Sequence, residues 1–233
     1  MRLHLNPSVP EIARVNSSNL EEAVSQLIVA LTPSSGGFNY LPATKTAKTS
    51  YKGLHDLKSL TAARALNDGS VGAAANFEVA KLICPIGFGR KTQVIDLAPR
   101  SFHYGSSRKA SYRVPFLFVE GGVVKAYFLQ PRKNTVYSSD NISIYFTILK
   151  KYLLDTEFYG EPTDVEFVEV AERSERKGRE LKICHTEHVK LLDDATLAKH
   201  LSVVHEALNI IENENLVTKN RRPLKDRELP LFD

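Results

Sequence analysis

The chain reads as an α+β protein, mixed α/β in its element order, with a central sheet built around a β-hairpin and flanked by helices. Three observations predict this. Two runs rich in β-branched and aromatic residues, 112–119 and 123–129, are joined by Glu120-Gly121-Gly122, and paired glycines suit a tight hairpin turn. Apolar residues recur at helical spacing on both sides, from Leu20 to Leu31 and again from Ile142 to Leu153. The elements follow as helix, strand, hairpin, helix, hairpin, helix with no linker-like composition between them, so residues 1–218 are expected to form one domain and 219–233 an extended basic tail.

In chain order, residues 1–17 form a Pro-containing lead-in. Ser18 or Asn19 can cap a helix over 20–31, where Leu20, Ala23, Val24, Leu27, Ile28 and Leu31 share a face. Pro33 and Gly36-Gly37 stop it. Residues 34–50 are rich in Ser, Thr, Gly and Lys, contain no acid, and read as a long loop. Helical patterns return over 54–66 and 71–83, parted by an Asn67-Asp68-Gly69 turn. Beyond Pro85 a strand is expected over 92–98, then the hairpin. Ser139 or Asp140 caps a helix to about residue 154. Over 164–170, Val165, Phe167, Val168 and Val170 interleave with acids, which reads as an edge strand guarded by charge. A charged turn over 173–179 leads to a returning strand at 181–185, and a long helix covers 195–212.

The 233 residues are 42% hydrophobic and 25% charged, which excludes wholesale disorder and is enough for a substantial core. No apolar run has the length of a membrane span, and the first 16 residues lack the apolar core of a secretory signal. Cys84 and Cys184, the two cysteines, do not make a disulfide framework, so a cytoplasmic protein is expected. The formal charge of +4 hides an asymmetry: residues 23–139 carry fifteen Lys/Arg against five Asp/Glu, and residues 140–215 carry nine against sixteen. Such a split points to an anionic partner, nucleic acid first.

The segment SFHYGSSRKASYRVPF carries that expectation. Guanidinium and ammonium groups bind phosphates, and aromatic faces stack on bases. The expected contact residues are Arg100, His103, Tyr104, Arg108, Lys109, Tyr112 and Arg113, joined on one surface by Arg132 or Lys133 after the hairpin. Cys184-His185-Thr186-Glu187-His188 invites a zinc reading, but its spacing fits no common site, a buried thiol is the expected role of Cys184, and no metal site is assigned. Glu166 and Glu169 are out of phase and are not expected to share a strand face.

Helix, strand, hairpin, helix, strand over roughly residues 54 to 170 resembles the core of the PD-(D/E)xK restriction-endonuclease-like superfamily. That resemblance implies an acid on the second core strand and an acid-x-Lys on the third, holding a divalent metal that activates water. Gln130 and Arg132 are the matching candidates on the third strand, with Asp96 and Glu120 the nearest acids, so the site it implies is degenerate and Mg²⁺ is expected only if the chain is a divergent nuclease. Near the C-terminus, Glu228-Leu229-Pro230-Leu231-Phe232 resembles the peptide with which bacterial replication and repair proteins bind the sliding clamp, which implies Leu229, Leu231 and Phe232 as partner-binding anchors. The expected function is nucleic-acid binding, in DNA processing, repair or phage defence. An accessory protein without nucleic-acid contact is the alternative.

Overall fold

The computed structural model describes residues 5–32, 39–63, 66, 69, 71–172 and 178–217. A five-stranded mixed sheet runs in the order β1 (Thr92–Ile95), β4 (Phe116–Glu120), β5 (Val123–Gln130), β6 (Thr163–Glu172), β7 (Arg179–Cys184), and a separate hairpin is formed by β2 (Ser101–Tyr104) and β3 (Arg108–Ser111). Neighbours in the large sheet are antiparallel except β5 and β6. The expected hairpin is β4–β5, turned by Gly121 and Gly122 at φ +58° and +81°. Both positive values belong to the turn that matches the twist of the flanking strands.

The parallel β5–β6 step needs a crossover, and α6 (Ser139–Leu149) makes it. Ser138 caps this helix, accepting from the Asn141 amide, and a wide turn of π-helix at Lys150–Leu154 carries it into α7 (Asp155–Glu157). As a crossover strand between β5 and β7, β6 is interior and buried on both faces. The edge-strand expectation for 164–170 is therefore overturned: Glu166 and Glu169 are each 1% exposed, and they point to opposite faces, as their phase predicts.

Each face of the sheet carries an apolar layer. On one, Leu117, Ala126, Phe128, Val165 and Phe167 pack with residues of α1 (Val9–Ala13), α2 (Leu20–Leu31), α6 and α8 (Asp194–Asn213). On the other, Phe116, Phe118, Tyr127, Leu129, Val168 and Val170 meet α3 (Leu41–Tyr51), α4 (Leu57–Thr61) and α5 (Ala73–Gly87). Asn19 caps α2 as expected, accepting from the amides of Glu21 and Glu22. The long loop expected over 34–50 is corrected where it is described: Pro42 lies in the first turn of α3, and Ala43, Ala47 and Tyr51, four residues apart, form its buried stripe. The β2–β3 hairpin was not anticipated either. Asn67 and Asp68 of the expected turn, residues 173–177, and the tail 219–233 lie outside the described residues. Among the described residues, no helix is long and apolar enough to cross a membrane.

Candidate functional site

Where β4 ends and β5 and β6 begin, six ionisable side chains close a ring of alternating charge. Arg90 donates from Nε to Glu120 at 2.7 Å and from Nη1 to Glu166 at 2.9 Å. His185 follows Glu166, its Nε2 3.9 Å from that carboxylate and its Nδ1 3.0 Å from Asp164. Lys125 lies 3.9 Å from Asp164 and donates to Glu120 at 3.2 Å, which completes the circuit. Three carboxylates alternate with two permanent cations and one imidazole.

Strand register builds the ring. Lys125 sits opposite Asp164, and Tyr127 opposite Glu166, so the acids and Lys125 share the face covered by α3 and α5. Glu120 is the last residue of β4, and His185 follows the last residue of β7. Arg90 is delivered from α5 through Gly89, whose φ of +79° favours glycine. Its guanidinium lies 5.0 Å from the centre of the Tyr51 ring and 5.2 Å from that of Phe118. Tyr51, the last residue of α3, donates its hydroxyl to Glu166. Gly87 makes room for it: a Cβ there would lie 2.4 Å from the Tyr51 ring.

Glu166, 1% exposed, is the floor, and the other five side chains, 16–28% exposed, form a rim open to solvent. The hydrogen bonds from Arg90, with Lys125 adding to them, hold the Glu120 carboxyl down at about 2. Burial alone would raise Asp164, but hydrogen bonds from His185, Thr186 and the Val165 amide outweigh it and hold this acid well below the usual carboxylate range. The Asp164 hydrogen bond in turn raises His185 above its ordinary value, favouring the imidazolium. Protonated His185 makes the ring neutral. Each acid already has cationic partners on both sides, so a divalent ion would have to displace Arg90 and Lys125. Among the described residues, no group of three or more His, Cys, Asp or Glu side chains is placed to hold a metal ion.

No protein-family model, characterised protein or solved structure matches this chain.

Of the expected catalytic candidates, only Glu120 belongs to the ring. Asp96, past the far end of β1, is exposed and pairs with Lys48. Gln130 is buried at the other end of β5 with its amide on the Thr135 carbonyl, and Arg132 is exposed beyond it. Pro131 ends the strand between them. The ring itself was not anticipated, because its six members come from five separated places in the chain and share no motif.

The expected basic-aromatic surface divides in two. The alternation of β2 and β3 turns Phe102, Tyr104, Arg108 and Ala110 inward. Arg108 is 3% exposed and engages through both terminal nitrogens: Nη1 donates to Glu212 at 2.9 Å and to the Leu5 carbonyl at 3.2 Å, and Nη2 to Asn209 at 2.6 Å. Tyr112 is buried, donating to the Tyr152 carbonyl, and Phe102 stacks on the Tyr152 ring. Tyr104, Arg108 and Tyr112 are therefore corrected from surface contacts to packing residues.

His103 and Lys109 face each other on the exposed side of this hairpin. Arg100, 3.5 Å from Glu157, and exposed Arg113 flank it. Lys133 instead lies 4.0 Å from Glu78 of α5, an acid that also receives Arg179, so it belongs to a different neighbourhood. Leu229, Leu231 and Phe232 lie outside the described residues.

Proposed function

We propose that this protein binds nucleic acid through the outer face of the β2–β3 hairpin and that it contacts phosphates rather than stacking on bases. The carrying observation is the side-chain division of the hairpin. Its outward positions are Ser101, His103, Lys109 and Ser111, the turn adds exposed Ser106 and Ser107, and no acid occurs from Leu97 to Val119. Cations and hydroxyl donors on strands that carry no acid of their own suit a polyanionic backbone. The aromatic residues that would stack on bases are occupied within the core. Arg113 adds a second indication. It holds φ +58°, a conformation costing a non-glycine residue roughly 1–2 kcal/mol, yet its side chain is exposed.

Binding to short single- and double-stranded DNA and RNA across a salt series tests this reading. Lys109→Ala and Arg113→Gln are each expected to weaken binding and to flatten the dependence of log affinity on log salt by about one unit per lost phosphate contact. Unchanged affinity and slope in both variants removes the hairpin from the interface and favours the accessory-protein alternative.

The sheet favours a second reading, the divergent nuclease. Glu120 stands on β4 and Lys125 on β5, the second and third strands of the large sheet in chain order, where the restriction-endonuclease-like resemblance implies an acid and a lysine. Val123 replaces the acid two residues before that lysine. The residues present do not fit a divalent cation while Arg90, Lys125 and His185 bridge the carboxylates, so no metal-assisted step is derived. Cleavage that requires Mg²⁺ or Mn²⁺ and is lost in Glu120→Gln would make this the better reading.

A further inference from the structure

The large sheet has two edges, and they differ. β1 is four residues long, while β7 is six, and the described residues place no strand on its outer side. Two apolar residues of β7, Leu181 and Ile183, are 39% and 37% exposed on the same face. An unpaired edge with an apolar stripe is a template for another strand.

The sequence of β7, Arg179-Glu180-Leu181-Lys182-Ile183-Cys184, selects the strand that fits. A second copy can add antiparallel about a two-fold axis perpendicular to the sheet. Each face then stays continuous, and one residue must meet its own copy. Centring the pair on Lys182 opposes lysine to lysine, and centring it on Glu180 opposes glutamate to glutamate, both unfavourable. Centring it on Ile183 sets Lys182 against Cys184. Centring it on Leu181 sets leucine on leucine and places Glu180 of each copy opposite Lys182 of the other. A lysine commonly protects an edge strand from pairing, and this register supplies the opposite charge that cancels that protection.

We propose that the protein forms a two-fold homodimer through β7, joining two five-stranded sheets into one, with Leu181 on the axis and two Glu180–Lys182 pairs beside it.

Sedimentation of the full chain over a concentration series, read together with charge reversal, tests this. A dimer is expected. Glu180→Lys and Lys182→Glu should each weaken it by about tenfold or more, and the double variant should restore it, since swapped charges re-form the cross-strand pairs. That restoration also distinguishes lost pairing from lost folding. Leu181→Cys should cross-link to its own copy under mild oxidation, because directly opposed residues fall within disulfide reach. Ile183→Cys, which faces Arg179, should not. A chain still monomeric at about 100 µM, well above the dissociation constants of specific interfaces, overturns the proposal. A dimer indifferent to both single reversals, or one the double variant fails to restore, overturns it as well.

Discussion

Arg90 and Arg108 come from the same acid-poor stretch as Lys109 and Arg113, but the fold uses the two pairs in opposite ways. Arg90 is committed to Glu120 and Glu166, and Arg108 to Glu212 and Asn209. Lys109 and Arg113 stay at the surface. The acids that neutralise Arg90 and Arg108 come largely from the acidic half of the chain, Glu166 and Glu212 among them. Part of the charge asymmetry in the sequence is thus internal wiring between halves, and only the remainder is an external field. Local alternation decides which is which: Arg108 and Lys109 are neighbours, and a strand turns one inward and the other outward.

The largest expected effect breaks the buried member of this comparison. Arg108→Ala leaves the Glu212 carboxylate and the Asn209 amide without their guanidinium, and truncating one partner of a buried pair costs about 3–5 kcal/mol. Urea denaturation should show that loss, with Arg108→Met plus Glu212→Leu recovering most of it.

Next in size is Gly87→Ala. Its Cβ would overlap the Tyr51 ring, and overpacking costs about 1–3 kcal/mol. Because Tyr51 donates to Glu166, the ring of charges should be disturbed along with the core, visible as a changed pH dependence of melting.

Smaller still is the ring's own pH dependence. His185 has a raised folded value, so its contribution is complete below its ordinary 6.5 and is lost as pH rises through the raised value. Glu120 has a depressed one, so its contribution is present above 4.5 and is lost as pH falls toward about 2. Together these make the ring strongest between those two ordinary values. Burial lowers buried His200, whose contribution runs the other way and falls away in acid. Thermal melts of His185→Gln beside the parent isolate the ring: the variant should lose the parent's decline on the alkaline side. The smallest expected effect belongs to the exposed pair. Lys109→Ala should alter unfolding free energy by no more than about 0.5 kcal/mol while changing the salt slope of nucleic-acid binding.

What could be read from the sequence was whatever rests on neighbouring residues. Asn19 signals a helix start through a side chain that reaches amides two and three positions on, and Gly121-Gly122 signals a turn by conformational freedom alone; the start of α6 was legible to within one residue, its cap being Ser138 and not the expected Ser139 or Asp140. Elements decided by distant packing were misread. The small residues and Tyr51 of α3 stand at helical spacing, but their Ser, Thr and Lys neighbours suggest a loop. In β6, Val165, Phe167, Val168 and Val170 were the signal of burial on both faces, and the acids among them suggested solvent because their partners, Arg90 and the Tyr137 amide, lie far away in sequence. Phe102 and Tyr104 alternate as an amphipathic strand does, a pattern that could have revealed β2. The ring had no comparable sequence signal, since of its six members only Asp164 and Glu166 lie close together in the chain.

That dispersal has a consequence for how the molecule folds. The ring draws on residues from Arg90 to His185, with Tyr51 behind it, and it closes only once four strands, β4 to β7, and the end of α5 are in place. Contacts of such sequence separation carry a high loop-closure cost and form late. Ring substitutions should therefore leave the refolding rate nearly unchanged and accelerate unfolding, with φ-values near zero. In kinetic terms the six charges act as a latch: they contribute little to finding the fold and slow its opening.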